Sequence, residues 1–441
     1  MPKRKKLPDL NREEVKVEDL KPYSANARIH PKQQIQKLVR SIREFGFLNP
    51  LLIDENSEII AGHGRLIAAK ETGLEELPVI RIRGLSETQK RALRLADNQI
   101  ALESSWDMEL VREELYAISL DPACNLELTG FDAARIDVLL DDSGGDPDDE
   151  VVPAVPTDPV SQTGDIWIAG PHRIGCGNVR TPGFLKAVAK GRAVDAAFLD
   201  PPYNVRVDGH VCGKGKTRHR EFYEASGEMS SREFTQFLKD TLGSCAEVCK
   251  SGAVHFVCID HGHLSELLAA GNDVYGARLN LCVWNKSNAG MGSLYRSKHE
   301  LVLVYRVGKG PHRNNVELGK HGRNRTNVWD YPSVNTFVGS RRQDLDLHPT
   351  VKPVGLVADA ILDVTKRGET VLDAFLGSGT TLIAAERTGR TFVGLDIDPA
   401  YVDTALGRWR DMTGVEPMRE HDGATFRDAK AMQQNSEEAV R

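Results

Sequence analysis

Asp200-Pro201-Pro202-Tyr203 closes the apolar run that starts at Ala193 and ends at Leu199. The Asp200 carboxylate and the Pro201 carbonyl both accept hydrogen bonds, and the two prolines stiffen the backbone so that both acceptors point at one place. Tyr203 adds a ring on which a planar base can stack. Such a device suits an exocyclic amino group on a planar amine or amide. A second chemical segment lies far downstream, from Val371 to Thr381, and contains Asp373, Phe375, Gly377, Ser378, Gly379 and Thr380. It reads as a short strand, a glycine turn and a helix start. Glycines there let the backbone approach a ligand, and the following helix turns its N-terminus toward it. The next strand, Thr391 to Asp396, ends in an acid roughly 20 residues after the glycines, where a doubly wound fold holds ribose hydroxyls.

These residues need strands and helices to hold them. Gly164–Ala169 and His172–Cys176 predict a hairpin; Ala253–Ile259, Leu281–Trp284 and Leu301–Tyr305 predict further strands. Strands alternating with helices argue an α/β fold, a doubly wound and mostly parallel sheet covered on both faces. Asp141 to Glu150 is acidic and the stretch to Pro159 is proline-spaced, which predicts a linker over 141–160. The expected division is a basic tail over 1–13, a small α+β domain over 14–140, the linker, a large domain over 161–415 and a C-terminal tail over 416–441.

The large region resembles the β group of DNA amino-methyltransferases that use S-adenosylmethionine. Asp200–Tyr203 is similar to the family's catalytic motif and Asp373–Thr381 to its cofactor motif. Gly394–Tyr401 is similar to its ribose segment, with Asp396 where many members carry Glu, and His348-Pro-Thr-Val-Lys-Pro353 to a further motif. The resemblance spans about residues 160–415 and implies a Rossmann-like methyltransferase fold. It implies that Asp373 faces the cofactor's amino group, that Phe375 packs on it, and that Ser378 and Thr380 belong to the same set. His348, Thr350 and Lys352 either hold the cofactor's carboxylate end or brace a helix start. The implied reaction methylates a base flipped out of double-stranded DNA, as in restriction-modification systems. Adenine N6 is the expected acceptor because Asp at the first motif position is commoner with adenine. Cytosine N4, RNA or a protein glutamine as acceptor, and a DNA-binding regulator with a vestigial methylase domain, remain alternatives.

Residues 14–105 resemble the N-terminal domain of ParB-type partition proteins. A helix is expected over Gln33–Phe45, a strand pair at Leu51–Ile53 and Ile59–Ile60, a strand over Leu77–Arg83, and a helix from Ser86 to Glu103 with Ser86 as N-cap. Gly62-His63-Gly64-Arg65 stands where the family has its glycine/arginine nucleotide box, which usually carries an acid and a second arginine. Gly62, Gly64 and Arg65 are therefore candidates for phosphate binding, with a purely structural arginine the competing reading.

The net charge is -6, but the charges are unevenly spread. Lys286 to Arg342 holds eleven Lys/Arg against three acids, and Lys214, Lys216, Arg218 and Arg220 form a second basic cluster. Together with Arg323, Arg325, Arg341 and Arg342 these are the candidate phosphate contacts for DNA, and about 308–347 is the expected target-recognition segment. The glycine-rich basic stretch from Asn204 to Lys216 is expected to form a loop over the site. Seven cysteines lack paired spacing. Cys245 and Cys249, with nearby histidines, would make a metal site conceivable, but without a Cys-x-x-Cys pair apolar packing is expected and no metal is assigned. There is no secretory leader and no apolar stretch of about 18 residues, so the expected location is cytoplasmic, at the nucleoid. A homodimer stays open.

Overall fold

The computed structural model describes residues 11–121, 124–140, 150–205, 223–287, 294–320, 323–332 and 351–440. The chain divides into two compact units, Met1–Asp132 and Ala133–Arg441.

In the first unit, β1 (Arg12–Lys16), α1 (Lys32–Phe45), β2 (Leu51–Ile53), β3 (Ile59–Ala61), α2 (His63–Thr72), β4 (Glu76–Arg81), α3 (Glu87–Leu102) and α4 (Met108–Ser119) follow in order. The sheet order is β1-β4-β2-β3. Leu51, Ile53, Ile59, Leu66, Leu77 and Val79 form its core. The α3 start follows the sequence: Ser86 Oγ accepts the Gln89 N–H, and Gln89 Oε1 accepts the Ser86 N–H. Two of its cations are buried against the β2–β3 turn. Lys90 reaches Asp54 at 2.9 Å, and Arg94 pairs with Glu58 while lying 3.7 Å over the Tyr23 ring.

The second unit begins with α5 (Ala133–Leu140). Next come β5 (Ile166–Ala169), β6 (His172–Cys176), α6 (Phe184–Ala189), β7 (Val194–Leu199), α7 (Ser231–Glu247), β8 (Cys249–Ile259), α8 (Leu264–Val274), β9 (Ala277–Asn285), β10 (His299–Arg306) and β11 (Val328–Asp330). The chain ends with α9 (Val354–Val364), β12 (Thr370–Asp373), α10 (Thr380–Arg387), β13 (Thr391–Asp396), α11 (Pro399–Thr413), β14 (Met418–Arg419) and α12 (Phe426–Val440). Among the described residues the sheet has ten strands in the order β11-β9-β10-β8-β7-β12-β13-β6-β5-β14. Its centre, β8-β7-β12-β13-β6, is parallel; β10, β9, β5 and β14 add antiparallel pairings toward the edges.

The period of two along each strand divides the core. Phe198, Phe256, Val371 and Phe392 pack with α9, α10 and α11. Leu199, Val257, Leu372 and Val393 pack with α6, α7 and α8 on the other face. From β7 the chain winds through α7 to β8; from β12 it winds through α10 to β13, in the opposite direction along the sheet. The carboxyl ends of β7 and β12 therefore meet at the topological switch point, where open α/β sheets bind ligands.

The ends of this unit are more built than the sequence suggested. Residues 416–441 were expected as a tail, but β14 pairs with β5, and Phe426 lies edge-on to Trp167 at 5.6 Å. The α5 helix is tied in by Asp137, whose oxygens accept both Arg390 Nη1 at 2.9 Å and Nη2 at 2.7 Å. The two side chains are 1% and 0% exposed, so neither charge has water to fall back on. Asp137→Leu is expected to destabilise this unit by about 3–5 kcal/mol, the cost of stranding one member of a buried pair. Urea unfolding of the full chain, followed by the near-ultraviolet signal of Trp167 and Trp409, measures it. For truncation we accordingly propose a cut at 132/133, which keeps Asp137.

Candidate active site

Asp200 follows β7 directly and the glycine turn follows β12, so both motifs come to the same end of neighbouring parallel strands. One cavity is lined by Asp200, Pro201, Pro202 and Tyr203 on one side and by Asp373, Phe375, Gly377, Ser378, Thr380 and Asp396 on the other.

On the β12 side the two acids organise the turn. Asp373 Oδ1 accepts the Phe375 N–H at 2.9 Å and Oδ2 accepts the Thr381 hydroxyl at 2.6 Å. Asp396 Oδ2 accepts the Gly377 N–H at 2.8 Å and Oδ1 the Asp398 N–H at 2.9 Å. Burial pushes Asp373 up to about 7 and Asp396 up to about 6, against these hydrogen bonds. The two glycines differ. Gly377 has φ +50° and open space around a would-be Cβ, the nearest atom being 3.9 Å away. Gly379, at φ +87° before α10, would put a Cβ 2.8 Å from Ala405 Cβ on α11. Its small size serves helix packing rather than ligand approach, and Gly379 is not part of the cavity lining.

On the β7 side a charged cluster surrounds Asp200. Lys352 Nζ lies 2.5 Å from Asp200 Oδ2 and 2.7 Å from Glu300 Oε1. The Tyr203 hydroxyl is 2.6 Å from Asp200 Oδ1 and 2.5 Å from Glu300 Oε1. Lys286 Nζ is 2.7 Å from Glu300 Oε2. The Asp200 side chain is 24% exposed, Glu300 8% and Lys352 6%, so Asp200 is the member most open to the cavity. Burial raises the Asp200 carboxyl while Lys352 pulls it down. Burial also acts upward on Glu300, but Lys352 and Lys286 outweigh it and hold it at about 2. Sequence reading put Lys352 beside a cofactor; its ammonium instead rests on Asp200. Glu300 was not found in the sequence, where an acid heading an apolar strand resembles a strand boundary.

Asn204, at φ +55°, ties its own loop to the segment before α7: its Oδ1 accepts the Gly227 and Met229 N–H groups at 3.1 Å each, and its Nδ2 donates to the Met229 carbonyl at 2.8 Å. Lys214, Lys216, Arg218, Arg220, Arg341, Arg342, His348 and Thr350 lie outside the described residues. Arg323 and Arg325 do not form the expected phosphate surface. Both reach into α9, Arg323 to Asp359 and Asp363 at 2.9–3.0 Å and Arg325 to the same acids at 3.0–3.1 Å. Carboxylates from α9 thus take the positions a phosphate would need.

In the first unit Gly62 precedes α2 at φ +104°, and a Cβ there would meet Leu51 at 2.5 Å. Gly64 is buried with His30 3.1 Å from its would-be Cβ, and Arg65 donates to the Asn49 carbonyl at 3.1 Å. These contacts give all three residues structural work. Cys249 Sγ lies 3.1 Å from His255 Nε2, and burial pushes that imidazole down to about 3. Among the described residues, Asp200, Cys258 and Glu300 have potential metal-ligand atoms within 4.8 Å of one another, and Lys352 Nζ already lies against both carboxylates. No helix among the described residues is long and apolar enough to cross a membrane.

Residues 194–407 match the family described as DNA methylase. Residues 2–99 match the ParB N-terminal domain, and residues 109–163 match the ParB-methyltransferase HTH domain. The chain is a DNA methyltransferase of the N6/N4 amino-methylating type joined to a ParB-like N-terminal domain. It is 24% identical over 230 residues to type II methyltransferase M2.MboI of Moraxella bovis, covering 51% of this chain and 83% of that protein. It is 49% identical over 75 residues to the ParB-like nuclease domain-containing protein YnaK of Escherichia coli K12, covering 17% of this chain and 86% of that one. Among solved structures, the DNA modification methylase TTHA0409 of Thermus thermophilus complexed with S-adenosyl-L-methionine is similar at 20% identity. That match covers 58% of this chain and 96% of that chain, with a TM-score of 0.39.

Proposed function

We propose that the second unit transfers a methyl group from S-adenosylmethionine to the exocyclic amino group of a flipped DNA base, with adenine N6 as the acceptor. The observation that carries this is the single cavity at the sheet's switch point, lined by both the amine-accepting motif and the glycine turn with its two strand-end acids. The donor set suits this cofactor. Two buried acids with raised pKa favour a cationic ligand, and the open backbone at Gly377 admits a close one. When bound, the cofactor supplies an electrophilic methyl group on a positively charged sulfur. Asp373 would hold its amino end and Asp396 its ribose hydroxyls. Phe375, Ser378 and Thr380 would line the rest.

The amino group of a base is a weak nucleophile because its lone pair is spread into the ring. Asp200 and the Pro201 carbonyl, accepting its two N–H bonds, favour a pyramidal nitrogen. As positive charge develops on that nitrogen, the fixed Asp200 carboxylate stabilises it and then accepts the surplus proton. A base inside a duplex cannot reach the cavity and must be flipped, at a cost of a few kcal/mol that stacking on Tyr203 offsets in part. Asp at the head of the motif supports adenine. The helix-turn-helix match of residues 109–163 supports a role for the N-terminal half in engaging DNA.

Cofactor affinity should depend on pH with a definite sign. In the free protein Asp373 and Asp396 gain protons below about pH 7 and about pH 6, and a protonated acid does not attract a cation. Affinity is therefore expected to rise roughly tenfold between about pH 6 and about pH 7.5, with protons released on binding in that window. Calorimetric titration in buffers of different ionisation heat checks both. The overall reading is tested by incubating the protein with cofactor and unmethylated DNA and analysing the nucleosides by mass spectrometry. N6-methyladenine is expected; N4-methylcytosine would overturn the choice of base, and no methylated nucleoside would overturn the reading.

A further inference from the structure

Glu300 takes no direct part in the methyl transfer, yet it binds three side chains around the amine site. It sits at the start of β10, a strand paired on both sides, opposite Trp284 of β9. Its Oε1 meets both Lys352 Nζ at 2.7 Å and the Tyr203 hydroxyl at 2.5 Å, and its Oε2 meets Lys286 Nζ at 2.7 Å. The same ammonium and the same hydroxyl are the two groups that touch Asp200, one on each oxygen. We propose that Glu300 and Lys352 are positioning residues for Asp200, Glu300 anchoring the ammonium and the hydroxyl that aim the cavity-facing carboxylate and keep it ionised. This inference rests on the proposed amine-binding role of Asp200.

Geometry separates this role from simple packing. Lys352 enters from the segment before α9 on a flexible stem, and a lone partner would leave its head free to swing. Glu300, on a rigid strand, supplies the second fixed contact. Lys286 keeps Glu300 charged, so two carboxylates and two ammonium groups alternate in one connected set. The titratable groups facing Asp200 are Tyr203 on its own loop, Cys258 on β8, Glu300 on β10 with Lys286 behind it, Lys352 before α9, and Asp373 on β12.

Opposite charges on the two positioning residues give opposite signs. Removing the Lys352 charge removes what favours the ionised Asp200, so the acid limb of the pH–kcat profile moves up. Removing the Glu300 charge removes a repulsion, so the limb moves down. Both changes loosen the carboxylate, and a misplacement of about 1 Å costs roughly 10²-fold in rate.

The test measures single-turnover methylation of unmethylated DNA by the full chain across pH for wild type, K352M, K352R and E300Q, with cofactor affinity measured separately. The expected result is a roughly 10²-fold loss in K352M with its limb raised, partial rescue in K352R, a loss in E300Q with its limb lowered, and cofactor affinity near wild type throughout. Unchanged rates, limbs moving the same way, or a loss confined to cofactor affinity would overturn the inference. If E300Q does not fold, K352M and K352R decide alone: a raised limb with arginine rescue supports the proposal, and its absence overturns it. A folded wild type that transfers no methyl group overturns the reading of the site itself, and this inference with it. Variants that match an active wild type overturn only this inference.

Discussion

Asp200→Ala is expected to abolish methyl transfer, with a loss of at least about 10²–10³ in rate, while cofactor affinity stays within a few-fold of wild type. The carboxylate faces the substrate side of the cavity, at the end of β7, whereas the proposed cofactor contacts follow β12 and β13. Removing a preorganised charge stabiliser alone accounts for that factor. The same change takes away the acceptor that orients the amine. It also leaves the Lys352 ammonium against Glu300 alone of the two carboxylates. Single-turnover rates with saturating cofactor, together with calorimetric titration, separate the two effects. Activity within a few-fold of wild type would remove Asp200 from the mechanism.

The glycine turn gives the second large effect, and it divides between two positions. Gly377→Val adds a branched side chain into open space beside the cavity. Cofactor affinity is expected to fall on the order of 10²-fold, equivalent to about 2.7 kcal/mol, with a smaller change in melting temperature. Gly379→Val drives its Cβ to 2.8 Å from Ala405 Cβ at φ +87°. Overpacking of this kind costs about 1–3 kcal/mol, and the left-handed backbone adds to it, so this variant is expected to lose stability first. Thermal unfolding and cofactor titration on both variants give a two-by-two result. Equal loss of affinity without loss of stability in both would mean that Gly379, too, lies against the cofactor.

The contrast between these glycines shows what a sequence can carry. Both stand in one short motif and look alike; only the position of α11, from residues beyond the motif, tells them apart. Asp200–Tyr203 and Asp373–Thr381 were readable because each is a continuous segment at a strand end. The strands that align them were readable from apolar runs such as Ala253–Ile259, with ends that shifted by a few residues. Lys352 and Asp200 are 152 residues apart, and Glu300 and Tyr203 are 97 apart, so nothing local announces their contact. Arg323 and Arg325 looked like a phosphate surface because the sequence shows their charge but not Asp359 and Asp363, one helical turn apart on α9. Short elements also escaped. The α5 helix is only eight residues long and is fixed by the Asp137–Arg390 pair, and β14 is fixed by its pairing with β5.

The central claim is that the cavity between β7 and β12 methylates an amino group in DNA through Asp200. Base-resolved methylation mapping of DNA from cells expressing the full chain, beside cells expressing Asp200→Ala, tests it most directly. The account predicts N6-methyladenine at a defined sequence with the wild type and none with the variant. Maps that are identical for the two proteins would contradict it.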